Sequence, residues 1–167
     1  MMHDLRISPR LFLFLLRFFA DMPFHGTCLC GEIFFQVDAE PLAVSCCHCL
    51  NCKRYTGTAF TTNVVFPAGS VIVTKGEKLL NTYRDDAQDS GNGLLRHFCS
   101  RCSSPLYNDG GDFGKTLAVF YSALIDFKDQ KEGRDRKPEV EYYTKDRNWW
   151  VKPVEGAEQA TTKPGRD

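Results

Sequence analysis

A chain of 167 residues with 43% hydrophobic side chains suits one domain with a real core, flanked at most by tails. Twenty-one Lys and Arg balance 21 Asp and Glu, which excludes the basic excess of a general nucleic-acid binder, and 13 Phe, 6 Tyr and 2 Trp exclude wholesale disorder. The eight cysteines are many for an intracellular chain, yet fall below the roughly 8–10% density of a disulfide scaffold.

Residues 1–22 read as a leader, disordered or preceding a biological start at Met22. Its apolar run from Leu11 to Leu16 is cut by Arg17, well short of the roughly 20 apolar residues of a membrane span. No small-x-small cleavage site follows, so a secretory signal is disfavoured; its three Arg leave a mitochondrial presequence open. Residues 23–152 form the expected domain. Strands are predicted at Glu32–Val37, Thr58–Phe66, Ser70–Thr74, Leu79–Arg84, Leu94–Phe98, Lys115–Leu124 and Glu139–Thr144, each rich in β-branched or aromatic residues. Leu117, Val119 and Tyr121 should share one face. Leu50–Thr56 predicts one or two helical turns, and Asp85–Gly93 a polar loop. Residues 153–167, with Pro and Gly but no aromatic side chain, predict a flexible tail. The expected fold is mainly β, built of short strands.

The cysteines fall in three groups: Cys28-Leu29-Cys30, Cys46-Cys47-His48-Cys49-Leu50-Asn51-Cys52 and Cys99-Ser100-Arg101-Cys102. Short C-x-C and C-x-x-C spacings turn two sulfurs toward one ion, and such knuckles far apart in sequence make tetrahedral zinc sites. A disulfide framework suits this clustering less well, because near neighbours such as Cys28 and Cys30 pair only with strain. A structural zinc takes four thiolates and a catalytic one usually three protein ligands with an open position. Seven of the eight cysteines fit four plus three, leaving Cys46 or Cys47 spare. Spacing alone leaves open which knuckles share an ion.

Gly26-Thr27-Cys28-Leu29-Cys30-Gly31, Cys47-His48-Cys49-Leu50-Asn51-Cys52-Lys53, Gly57, Phe60 and Phe98-Cys99-Ser100-Arg101-Cys102 resemble the glutathione-dependent formaldehyde-activating enzyme family, which also includes centromere protein V. Arg147-Asn148-Trp149-Trp150-Val151, with Pro153 and Gly156-Ala157, is similar to that family's close. The resemblance implies small bent β-sheets organised around zinc. It implies a structural zinc on Cys28, Cys30, Cys99 and Cys102 and a second, catalytic zinc on Cys47, Cys49 and Cys52. It implies a carbon–sulfur lyase that joins glutathione, as co-substrate, to formaldehyde as S-hydroxymethylglutathione. Two departures stand out: Ser103 where the family often has Gly, and the extra Cys46.

Other residues have expected roles. Lys53 and Arg54 are candidates to bind the carboxylates of a thiol substrate, and Arg96 and His97 are weaker anion candidates. His48 is either a ligand, a proton carrier or an outward-pointing residue. Tyr55 and Phe60 are expected in the core, and Trp149-Trp150 to seal the end of the sheet. The expected partners are a small-molecule thiol and an aldehyde, with no nucleic acid and no membrane span. Thiolates that must stay reduced to bind metal imply a cytoplasmic or nuclear location. The rival reading is a zinc-stabilised β interaction module without catalysis.

Overall fold

The computed structural model describes residues 23–89, 91–111, 114–125 and 136–162. The leader expected over residues 1–22 and the last five residues of the expected tail lie outside them. In chain order the elements are β1 (Phe24–Thr27), β2 (Phe34–Val37), β3 (Ala43–Cys47), helix α1 (Leu50–Thr56), β4 (Thr61–Pro67), β5 (Val71–Lys75), β6 (Leu80–Asp85), β7 (Leu94–Cys99), β8 (Pro105–Asp109), β9 (Thr116–Phe120), β10 (Val140–Tyr142) and β11 (Glu158–Gln159). The expected mainly β fold is present. No helix among the described residues is long and apolar enough to cross a membrane.

The strands form two sheets. The small one has the order β1-β2-β5, and the large one β11-β10-β3-β4-β9-β8-β7-β6. Neighbours are antiparallel, except that β10 runs parallel to both β3 and β11. The core lies where the sheets face each other, with Phe35 and Val37 of β2 among Val44, Val64, Phe66, Leu117 and Val119 of the large sheet. Phe24 meets Phe66 with ring centroids 5.6 Å apart, and Phe35 meets Tyr107 at 6.4 Å. Complete burial of each such side chain contributes roughly 1.5–3 kcal/mol. Gly26 lies opposite Phe35 across the β1–β2 ladder, and a Cβ there would sit 2.1 Å from Phe35 Cζ. Only glycine lets the ring fold over the strand.

Period-two alternation sorts the large sheet into two faces. Val44, Val64 and Val119 point into the core. Their neighbours Ser45, Cys47, Asn63, Val65 and Ala118 take the opposite face, aligned by the pairs Ser45↔Asn63, Cys47↔Thr61 and Val65↔Ala118. The ladder carries that face on to Asn108 of β8 and Arg96 of β7. The site is built on this second face.

Three expectations change. Strand β9 buries both faces, Leu117 and Val119 on one and Ala118 and Phe120 on the other, and Tyr121 starts a 3-10 turn instead of extending the first row. The described chain beyond residue 152 is not a loose tail: β11 pairs with β10, and Ala160 N–H donates to the Glu141 carbonyl at 2.9 Å. The reason is a buried carboxylate. Glu141 is 1% exposed and accepts hydrogen bonds from Val154 N–H and Gln159 Nε2, so the polar segment supplies what the core does not. Finally, Trp149 is 94% and Trp150 58% exposed, so neither seals the sheet.

Candidate metal centre

Two groups of cysteines converge. The Sγ atoms of Cys28, Cys30, Cys99 and Cys102 lie within 4.8 Å of one another, and so do those of Cys47, Cys49 and Cys52. All eight cysteines are free thiols. In the first group Cys28 and Cys30 Sγ are 3.4 Å apart and Cys30 and Cys99 Sγ 3.9 Å. Those spacings lie far from the ~2.05 Å of a disulfide. They bracket the ~3.8 Å between sulfurs that about 2.3 Å metal–sulfur bonds give around a tetrahedral ion.

The turn after β1 carries Cys28 and Cys30, while Cys99 ends β7 and the turn after it carries Cys102. An ion held there would join the small sheet to the large one. The backbone shapes both turns for sulfur. Ile33 N–H donates to Cys28 Sγ at 3.3 Å, and Ser103 N–H to the Cys99 carbonyl at 2.8 Å. Ser104 links the turns, its Oγ accepting from Leu29 N–H at 3.0 Å and lying 3.2 Å from Cys102 Sγ. Ser103 has φ 60°, the left-handed region that favours glycine. The turn therefore keeps a glycine-type backbone although serine occupies it.

The second group is more compact in sequence. Cys47 ends β3, Cys49 caps α1 by accepting from Cys52 N–H at 3.3 Å, and Cys52 lies in the helix's first turn. Gly57, at φ 66°, closes the helix after two turns. Alternation along β3 separates Cys47, whose sulfur joins this group, from Cys46. Cys46 points to the other face, 3.9 Å from Thr62 Oγ1, where burial pushes its thiol up to about 11. Without a metal, hydrogen bonds from Cys47 and Cys49, with the Arg96 charge beside them, hold the Cys52 thiol well below its ordinary value. The same hydrogen bonds leave Cys47 well above it.

These three cysteines line a cleft of about 170 Å³. Its floor is the second face of the large sheet, where Ser45, Asn63, Val65, Ala118 and Asn108 are small enough to leave space, and Tyr142 forms a wall. Asn63 and Asn108 are 7% and 3% exposed. The Oδ1 atom of each has no hydrogen-bond partner.

Buried polar contacts position this loop. Arg96, 1% exposed, donates from Nε to Asp85 Oδ2 at 2.9 Å and lies over the Tyr55 ring at 4.7 Å. Its guanidinium also reaches Asp85 Oδ2 from Nη2 at 2.7 Å and faces Cys52, so its anionic neighbours are protein groups. His48 is buried, not outward-pointing, and its Nε2 lies 2.7 Å from Glu141 Oε2. Arg147 Nη2 reaches the same oxygen at 3.1 Å. Burial opposes ionisation of Glu141, but Val154 N–H, Gln159, His48 and the Arg147 charge outweigh it and hold the carboxyl at about 2.

The other candidates lie elsewhere. Lys53 Nζ donates to the Asp146 carbonyl at 2.7 Å and to Asn148 Oδ1 at 3.0 Å, tying down the turn before the tryptophans. It does not line the cleft. Arg54 borders a separate groove with Tyr83 and Ala87. His97 pairs with Asp109 at 3.1 Å and stacks on Tyr107 at 4.2 Å. Tyr55 packs on Phe120 at 5.9 Å, as a core residue should, and Phe60 on His48 at 5.5 Å. Sequence reasoning missed Asn63, Asn108, Glu141 and Tyr142. Asn63 did carry a signal, a polar amide inside a strand whose neighbours Thr61, Thr62, Val64 and Val65 are all β-branched.

Comparison with known proteins agrees with this geometry. A protein of Halomonas elongata, provisionally named a glutathione-dependent formaldehyde-activating enzyme, is 28% identical over 105 residues, which are 62% of this chain. The chain spans 66% of that relative's length, just under two thirds. The crystal structure of a Rhodobacter sphaeroides protein superposes with a TM-score of 0.51 at 19% identity, covering 65% of this chain and 94% of that one. At that identity the likeness is one of fold. The family model for the glutathione-dependent formaldehyde-activating enzyme matches residues 23–146, a span holding every cysteine of both groups. The chain therefore belongs to the glutathione-dependent formaldehyde-activating enzyme family.

Proposed function

We propose that this protein is a zinc-dependent carbon–sulfur lyase that adds a glutathione-type thiol to a small aldehyde, or reverses that addition. One observation carries the reading: three convergent thiols line the cleft, so a ligand can reach them. The donor set fits zinc at both groups, being all sulfur with the Sγ atoms of each group within 4.8 Å of one another. Cys28, Cys30, Cys99 and Cys102 would hold a structural ion. Cys47, Cys49 and Cys52 would hold a second with a position open to the cleft. Zinc held there would supply a Lewis acid that keeps a substrate thiol ionised at neutral pH.

The protein's own groups would do the rest. In the net reaction the thiol loses its proton, its sulfur forms a bond to the carbonyl carbon, the carbonyl π bond breaks, and the oxygen gains a proton. Tyr142 lies beside Cys47 on the β3–β10 ladder and lines the cleft. Burial, with Glu158 and Cys47 nearby, raises its phenol. It would remain protonated and donate a hydrogen bond to the aldehyde oxygen. Arg96 would counter charge at Cys52, and the His48–Glu141 contact would fix the loop carrying Cys47 and Cys49. The cleft is smaller than the roughly 300–1,000 Å³ of a drug-sized site, so it would take the thiol-bearing end of a larger molecule. Reduced thiolates would place the protein in a reducing compartment such as the cytoplasm.

The rival reading, an interaction module without catalysis, draws support from exposed Trp149 and Trp150. One experiment separates them. The zinc-loaded protein is mixed with glutathione and formaldehyde, and adduct formation is followed by NMR against the uncatalysed rate. Acceleration that disappears in Cys49→Ser supports the lyase; a wild-type rate equal to background supports the interaction module.

A further inference from the structure

An aldehyde that enters the cleft meets three protein sulfurs as well as the substrate's, because Cys47, Cys49 and Cys52 all line it. Metal ligation holds cysteine as the thiolate, which is its nucleophilic form. Attack by Cys52 would join its sulfur to the carbonyl carbon, break the carbonyl π bond and leave the oxygen to take a proton from solvent. The cluster would then keep two thiolates instead of three. A buried cation stands against this sulfur. Asn51 precedes Cys52 on α1, and Tyr55 follows it by three residues, on the same helix face. Arg96 of β7 lies over the Tyr55 ring, its Cζ 4.7 Å from the centroid. Asp85 of β6 accepts from Asn51 Nδ2 at 3.1 Å and from Arg96 Nε at 2.9 Å, and Arg96 Nη2 lies 2.7 Å from the same oxygen as Nε. The Arg96–Asp85 pair is thus docked on α1 through a residue on either side of Cys52, and both of its members are buried. Arg96 Nη1 has no hydrogen-bond partner, and the guanidinium faces Cys52.

We propose that Arg96 is a positioning residue that damps the nucleophilicity of Cys52, so that the aldehyde reacts with the incoming thiol and not with the protein's own sulfur. This rests on the thiol-and-aldehyde reading above and adds how that site chooses between sulfurs. The nucleophilicity of a thiolate falls with its basicity, with a Brønsted slope of about 0.4–0.5. An opposite charge within a few ångströms lowers that basicity by about 1–3 powers of ten. Together these slow reaction at Cys52 by roughly threefold to twentyfold. The incoming thiol escapes such damping: Lys53 is bonded to the turn at residues 146–148, and Arg54 borders a separate groove.

The test treats the zinc-loaded protein with iodoacetamide and follows initial alkylation at each cysteine by peptide mass spectrometry, after zinc per chain has been measured. The attacking sulfur bonds to the methylene carbon and iodide leaves, so each tagged cysteine reports its own nucleophilicity. Arg96→Gln should raise the rate at Cys52 about tenfold and the rates at Cys47 and Cys49 by less than about threefold. Arg96→Lys, which keeps the charge, should stay within about threefold of wild type at all three. Because Arg96→Gln leaves Asp85 buried without its cation, the double variant Asp85→Asn/Arg96→Gln removes both charges and should show the same selective rise. An unchanged rate at Cys52, or an equal rise at all three cysteines as a loosened loop would give, would overturn the damping role while leaving thiol handling intact. Loss of the second zinc from both uncharged variants would overturn it too, since Arg96 would then serve to hold the ion. A wild type that carries only one zinc would overturn the three-cysteine site, and this inference with it.

Discussion

Replacing Glu141 by Gln tests whether one buried carboxylate holds the end of the chain and the metal loop together. Its Oε2 accepts from His48 and Arg147, and its Oε1 from Val154 N–H and Gln159. A carboxamide turns one of these oxygens into a donor, so two contacts are lost whichever way it faces. Hydrogen bonds to a charged group contribute about 1.5–3 kcal/mol each, and relaxation recovers part of two such losses, giving about 3 kcal/mol. The pKa argues for the same size. A carboxyl moved from 4.5 to about 2 represents on the order of 3 kcal/mol. For a domain of this length that lowers Tm by about 6–12 °C. Because the folded-state value is depressed, this stability is complete above about pH 4.5 and is lost as pH falls toward about 2. The assay is thermal unfolding of metal-loaded wild type and Glu141→Gln from pH 3 to 8, with Glu139→Gln as control. Glu139 is half-exposed and pairs only at the surface with Arg136, so its loss should stay within about 0.5 kcal/mol. The gap between wild type and Glu141→Gln should be constant near neutrality and narrow in acid. A drop below about 2 °C at neutral pH, or a gap that widens in acid, refutes the reasoning.

The cysteine assignments give distinct expectations for metal per chain by mass spectrometry. Cys46→Ser should keep the wild-type metal content, because Cys46 faces away from the cluster, whereas Cys47→Ser should lose one ion. Cys99→Ser should lose an ion and also unfold in milder denaturant than Cys47→Ser, because only the four-cysteine group joins the two sheets; equal midpoints for the two variants would contradict this. Lys53→Ala should cost about 1 kcal/mol in denaturant unfolding through its two contacts to the turn at residues 146–148. Its affinity for glutathione should change by less than about threefold, and a larger loss would return Lys53 to the binding site.

The family resemblance supplied which knuckles share an ion; the cysteine spacing made only the knuckles themselves legible, because knuckle geometry is local and each pair carries its own turn. It could not divide Cys46 from Cys47, which needs the facing of β3. That strand was itself hidden: Ala43-Val44-Ser45-Cys46-Cys47 has one β-branched residue and reads as the approach to a knuckle. Strand β8 opens on proline and closes on Asn108-Asp109, and β11 is Glu158-Gln159 at a sheet edge, so neither shows an apolar alternation. The cleft was not legible for a different reason. Ser45, Asn63, Ala118 and Asn108 come from four strands distant in sequence, and only the register β3-β4-β9-β8 aligns them. Lys53 and Arg54 attracted attention because they adjoin the cysteines in sequence, but on α1 they project away from the cleft.

The central claim is that Cys47, Cys49 and Cys52 hold a metal with a position open to a thiol. Cobalt substitution followed by glutathione titration tests it most directly, since cobalt's visible absorption reports its ligands. The account predicts that glutathione alters the spectrum of one of two bound cobalt ions, saturably, and that Cys49→Ser, retaining the other ion, shows no change. A wild-type spectrum unmoved by saturating glutathione would contradict it.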